Sequence, residues 1–302
     1  MKKLTIALAM LFMALSSLAY GEVKSDRYVT KDYDYKGFTG ISANGIYDVK
    51  LEKSNTWKVS ISAPEELEDY IEVKVSNGKL ILSLKQVPIR VSKKYNNWTL
   101  TAYVSMPALY SLSLSGAAKF ESNDPFDIGN RSFKLEITGA AKAKGLEIRA
   151  KELEMEMSGA TSATLSGEFD YADIEMGGAA KCNFDIFANE LKQELSGAAK
   201  AYHSGDFANV EVEASGASVF SLNGSVDNMD IEGSGAAKIE TSKARAKEVK
   251  VSLSGATYCE VSALDYLKVD ASGASSVRYV DNDSMKLDLR SISRGTSVTK
   301  MR

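Results

Sequence analysis

The sequence predicts an all-β protein whose main body is a right-handed parallel β-helix of nine to ten coils, and three observations carry that reading. A Gly-Ala-centred motif, Ser-Gly-Ala in seven copies, recurs nine times at near-constant spacing. Apolar residues alternate with polar ones before each copy. No copy holds a run of ten or more residues with the 3.6 spacing of a helix.

The central glycines of the repeat are Gly116, Gly139, Gly159, Gly178, Gly197, Gly216, Gly235, Gly255 and Gly273, separated by 23, 20, 19, 19, 19, 19, 20 and 18 residues. Aligning the copies on them turns the sequence into columns. Six, four and two residues before the glycine the columns are apolar, running for example Leu153, Met155, Met157 in one copy and Val249, Val251, Leu253 in another. Only Gln193 and Gly233 depart from this pattern. A spacing of two is that of a strand with one buried face. Four residues after the glycine the set is apolar again, from Phe120 and Ala143 through Cys182 and Cys259 to Val277. Each copy is therefore read as strand, corner, strand, with the glycine at a corner that a Cβ would obstruct and the adjacent Ala packed tightly beside it. The right hand follows the hand of parallel crossovers, and the hexapeptide left-handed helix fits poorly because its period of six is absent. Nine or ten coils at ~4.8 Å each make a rod of roughly 45 Å.

The outward columns are polar. Three before the glycine stand Glu136, Glu156, Glu175, Glu194, Glu213, Glu232 and Asp270, with Ser113 and Ser252. Three after it stand Lys119, Lys142, Lys181, Lys200 and Lys238. An acidic ladder at ~4.8 Å repels itself, and the lysine ladder across the corner is expected to offset it.

Residues 22–109 show no copy of the repeat and read as a β-rich capping region, with strands around 40–51, 57–62, 71–75, 80–84 and 100–104. A helix is expected to start at Pro64 and a tight hairpin turn at Asn77-Gly78. Such a region would cover the open edge of the first coil of the 110–302 solenoid. Residues 1–21 have the pattern of a secretory signal peptide: Lys2-Lys3, an apolar run from Leu4 to Leu15, and small residues up to Gly21. Export to the periplasm, outer surface or extracellular space follows. No second apolar stretch appears, so no membrane-spanning segment is expected in the mature chain.

Without Lys2 and Lys3 the chain carries 35 basic and 40 acidic side chains, a charge of −5, which argues against nucleic acid. One histidine, His203, and two cysteines, Cys182 and Cys259, leave no metal or catalytic constellation built on these residue types, and no cofactor is expected. His203 falls in a column that holds Leu165, Phe184, Leu222 and Val261 in other copies, so it is read as a packing residue. The two cysteines share an inward column four coils apart, ~19 Å, and are expected to be buried free thiols.

At Gly37-Phe38-Thr39-Gly40-Ile41, followed by Ile46-Tyr47-Asp48-Val49, and again at Met106-Pro107-Ala108-Leu109 running into Leu114-Ser115-Gly116-Ala117, the chain resembles the head GIN domain family. The resemblance covers about residues 37 to 280 and implies an exported protein of β-helix-like fold in a family described as auto-transporter adhesins. It supplies no binding residues.

Two site readings remain. Adjacent-coil acids such as Glu156 and Glu175 would have the ~5–5.5 Å spacing of a retaining glycosidase pair, but every pair in the column would share it, and a catalytic pair should break the pattern. The aromatic residues Tyr95, Trp98 and Tyr103, beside Lys93-Lys94, are the candidate binding residues, since exposed aromatics stack on sugars and anchor protein contacts. The alternative is that Trp98 and Tyr103 cap the core. Together these observations favour a non-catalytic secreted or cell-envelope binding protein of adhesin type, whose partner is a carbohydrate or a host or cell-surface protein. A pectinase-like polysaccharide-degrading enzyme, or a self-associating structural component forming a homo-oligomer, are the alternatives.

Overall fold

The computed structural model describes residues 27–92, 99–280 and 282–301. The expected signal peptide, Tyr95 and Trp98 lie outside them. The described chain is all-β in class, with few helical residues, and is wound into a solenoid of about ten turns.

The alternation seen in the sequence becomes a two-walled coil. One wall stacks the strands that precede each glycine in parallel, such as Ser132–Ile137 on Glu152–Met157, in the register Leu135 opposite Met155 and Ile137 opposite Met157. The other wall stacks the strands that follow it, such as Lys181 and Cys182 opposite Lys200 and Ala201. Equivalent columns lie directly above one another, and of the 27 residues in the three inward columns before the glycine, all but Tyr110 are buried. The interior is thus a continuous apolar stack between the two walls, and coils are added without any single core having to grow.

At the corner, the nine glycines all have φ between +67° and +84°. Gly216 shows why. A Cβ there would lie 2.7 Å from the carbonyl oxygen of Gly197, while the Ala217 N–H donates to that same oxygen at 2.7 Å. The left-handed backbone and the inter-coil hydrogen bond leave no room for a side chain. The Ala of the motif, expected to be packed at this corner, faces solvent instead. The small buried residue is one position further along, in the column Ala118, Ala141, Thr161, Ala180, Ala199, Ser218, Ala237, Thr257 and Ser275. Two residues past the glycine the chain has turned inward, and only a short side chain fits so near the bend.

The stack also extends beyond the nine copies. Gly40–Gly45 pairs in parallel with Ser111–Gly116, Ile41 opposite Leu112 and Gly45 opposite Gly116, and a Cβ on Gly295 would meet the Gly273 carbonyl at 2.4 Å. Gly45 and Gly295 lengthen the glycine column from nine to eleven. Between Lys53 and Leu109 the chain leaves the stack and closes its N-terminal end. A hairpin, Ile71–Ser76 with Lys79–Leu84, turns at Asn77-Gly78, both with positive φ, and its second strand lies parallel to Gly40–Gly45. On the other wall Leu100–Met106 lies parallel to Tyr47–Lys53. Lys58–Pro64 then runs antiparallel to it, with Tyr28–Tyr33 antiparallel outside that. The expected helix is a 3-10 helix, Glu65–Tyr70, with Pro64 just ahead of it. Phe38, Leu67, Leu80 and Leu82 are fully buried beneath these elements. Trp57 Nε1 donates to the Phe38 carbonyl at 2.8 Å and Tyr47 Oη to that of Ser83 at 2.9 Å.

The two departures from the apolar columns have structural reasons. A Cβ on Gly233 would lie 2.7 Å from Thr257 Cγ2 and 2.8 Å from Leu253 Cδ2, so larger neighbours fill its place. Gln193 is fully buried and faces His203 across the interior, with Oε1 3.0 Å from His203 Nε2 and Nε2 donating to the Ile174 carbonyl at 3.0 Å. His203 stacks on Phe184 at 4.3 Å between centroids and meets Phe207 edge-on. Desolvation pushes its pKa down to about 3, so it packs as a neutral ring, as its column suggested. Cys182 and Cys259 are buried and free, and burial raises both thiol pKa values.

Candidate functional site: an acid- and hydroxyl-lined groove

On the outer face of the wall that precedes the glycines, alternation turns every second side chain to solvent. Parallel register then repeats it coil after coil, placing Glu136 opposite Glu156, Glu156 opposite Glu175, Glu175 opposite Glu194, Glu194 opposite Glu213 and Glu213 opposite Glu232. One residue before each glycine the side chain is short, mostly Ser, as in Ser158, Ser196, Ser215, Ser234, Ser254 and Ser272. Long carboxylates beside a strip of short hydroxyls leave a trough. It has a volume of about 990 Å³ and runs from Ser113 to Ser291, with the acids along one side and the hydroxyls near the corner.

The lysine ladder does not neutralise it. Among the described residues, no ion pair joins a lysine three after the glycine to an acid three before it. The lysines that do pair with the acids come from the same strand, two residues earlier: Lys134 with Glu136 at 3.3 Å, Lys192 with Glu194 at 2.6 Å and Lys268 with Asp270 at 3.2 Å. Hydrogen bonds to the partner carboxylates raise the pKa of Lys134 and Lys192. Glu156, Glu175, Glu213 and Glu232 have no cation within ion-pairing distance among the described residues. These four are also the acids that stand exposed, whereas the paired Glu136, Glu194 and Asp270 are half-buried. The corner lysines interact along their own wall: Lys238 with Glu240 at 2.6 Å and over the Tyr258 ring, and Lys181 over the Tyr202 ring. The two ladders lie on opposite sides of the glycine corner, which explains why they do not meet.

Tyr103 lies on Leu100–Met106, opposite Lys50 and Ser60, with half of its surface exposed. It belongs to the other wall, at the closed end, and does not line the groove. No cluster of His, Cys, Asp and Glu with metal-binding geometry occurs among the described residues.

The sequence matches the family described as "Putative auto-transporter adhesin, head GIN domain" over residues 37–201 and again over 172–282. The chain belongs to that family. The two overlapping matches fit a head GIN domain made of repeating coils, since a stack offers more than one register for the same pattern. No curated protein matches the chain. Two crystal structures from Parabacteroides distasonis share the fold. One is of a putative adhesin, 16% identical, with a TM-score of 0.55, covering 91% of this chain and 98% of its own. The other is of a putative lipid binding protein, 14% identical, with a TM-score of 0.52, covering 92% and 98%. No described helix is long and apolar enough to cross a membrane.

Proposed function

We propose that this head GIN domain is an exported, non-catalytic binding protein of adhesin type that holds an extended carbohydrate or protein partner along the acid- and hydroxyl-lined groove. The observation that carries the reading is the continuity of the groove: a trough shared by every coil suits a ligand lying along the rod, not a small substrate at one point. Ionised carboxylates only accept hydrogen bonds, so the partner must donate, as the hydroxyls of a neutral glycan or the cations of a basic polypeptide do. A polyuronate of the pectin type is repelled, which disfavours the pectinase-like alternative. So does the regularity of the column, in which no acid has surroundings that set it apart as a general acid. Tyr103, near the closed end, would act as a separate aromatic contact, together with Tyr95 and Trp98 of the preceding sequence.

A panel of neutral glycans, basic polypeptides and polygalacturonate, scored for both binding and cleavage, tests the proposal. Saturable binding of a donor-rich ligand without turnover is expected. Cleavage of any member would replace the binding reading with an enzymatic one. Weaker binding by Trp98→Ala would add the aromatic contact to the site.

A further inference from the structure

The two ends of the solenoid are built differently. The N-terminal end is closed by antiparallel strands whose outer edges carry charges: Lys31 and Asp32 on Tyr28–Tyr33, Glu72 and Lys74 on Ile71–Ser76. Beneath them Phe38, Leu67, Leu80 and Leu82 are fully buried, so the apolar interior is covered at this end. At the other end, Lys286–Ile292 and Ser297–Met301 stack on the preceding coil, and no described strand pairs with their outer edges. Three of the seven large apolar side chains exposed on the described protein cluster there: Leu287, Leu289 and Ile292, at 36%, 46% and 37%. An edge with free N–H and C=O groups over exposed leucines is a template for a further strand.

We infer that this edge pairs with the same edge of a second copy, antiparallel, about a two-fold axis at Leu289. Leu289 is the midpoint of the seven-residue strand, and the register pairs the residues on either side of it as far as Arg290, where the strand bulges before Ile292. It sets Leu289 against Leu289 and Asp288 against Arg290 of the other copy in both directions. Asp288 and Arg290 already lie on one face, 2.8 Å apart, so the contact extends an existing pair into a four-membered charge network. Centring one residue either way opposes like charges, Asp288 on Asp288 or Arg290 on Arg290. Centring on Leu287 runs the pairing into the turn closed by Met285 N–H on the Asn282 carbonyl. Head-to-tail stacking would bring the exposed leucines against an end whose apolar residues are already covered, so the assembly closes at two copies.

Sedimentation velocity of the purified protein over a concentration series tests the inference, and a dimer is expected. Asp288→Arg or Arg290→Asp alone should weaken it about tenfold by opposing like charges across the pair, and the double swap should restore it. Leu289→Cys should form a self-disulfide on oxidation while Leu287→Cys does not; Cys182 and Cys259, being buried, give no background. A monomer at every concentration, growth into longer polymers, failure of the double swap to rescue, or cross-linking at Leu287→Cys instead would each overturn it.

Discussion

Gln193 and His203 are each other's reason for being inside. Either alone would leave a buried polar group unpaired, so Gln193→Leu is expected to cost ~1–3 kcal/mol, while Gln193→Leu with His203→Leu costs less than the sum of the single changes. Chemical denaturation of the four proteins checks this. His203 also makes stability depend on pH. Its folded pKa of about 3 lies below the ordinary 6.5, so between these values the unfolded chain binds the extra proton. Stability from this group is complete above about pH 6.5 and is lost as pH falls toward 3, by up to ~5 kcal/mol, and His203→Leu should flatten that slope. The small corner column gives a second residue-scale test. Ser218 Oγ is buried without a hydrogen-bond partner, whereas Thr257 and Ser275 donate to carbonyls at 2.7 and 2.9 Å. Ser218→Ala, the residue found at most equivalent positions, should raise stability by ~1 kcal/mol and Ser275→Ala should not. His203's packing role was legible because its column is apolar in other copies. The role of Gln193 was not, because its partner stands on the opposite wall and no periodicity links the two.

The corner and the groove strand are the elements that decide the behaviour of each coil. Gly216→Ala forces a side chain into a left-handed φ and against the Gly197 carbonyl, and should cost more than ~2 kcal/mol, while Ala217→Gly, at an exposed position, should cost well under half of that. Thermal melts distinguish them. The acid column was plain in the sequence, as was the need to offset it. The actual partners were not, since Lys134, Lys192 and Lys268 sit in a column that elsewhere holds Glu154, Asp173, Glu211 and Asp230, and a mixed column reads as ordinary surface. Because Glu213 stands between Glu194 and Glu232 with no lysine of its own, Glu213→Gln should stabilise the protein by a few tenths of a kcal/mol at low ionic strength, an effect that fades in salt. The strands of the N-terminal excursion were legible from their alternation. Their antiparallel placement over the first coil was not, because pairing between distant strands leaves no local signal. The coil formed by residues 40–53 was hidden by the long excursion that follows it, although Ile41, Ala43, Gly45, Tyr47, Val49 and Leu51 carry the same alternation about a glycine.

At the scale of the whole molecule, a single repeated corner generates both the stable stack and the groove. Each coil adds one carboxylate or hydroxyl to a continuous trough for the same reason that it adds one layer to the interior. The stack keeps Cys182 and Cys259 in separate coils within one column, so neither thiol should react with a water-soluble disulfide reagent until the protein is unfolded. A partner held along the groove as proposed would sum weak contacts over many coils, so affinity is expected to rise with ligand length. The most direct test is to measure, on the best donor-rich ligand from the panel, the affinity of the protein and of the variant Glu156→Gln/Glu175→Gln/Glu213→Gln, which keeps side-chain shape and removes the unpaired charges. Loss of about tenfold or more in affinity, with a melting curve that is not lowered, is the result expected if the groove is the binding site. Equal affinity in the two proteins would place binding elsewhere on the molecule and contradict the account.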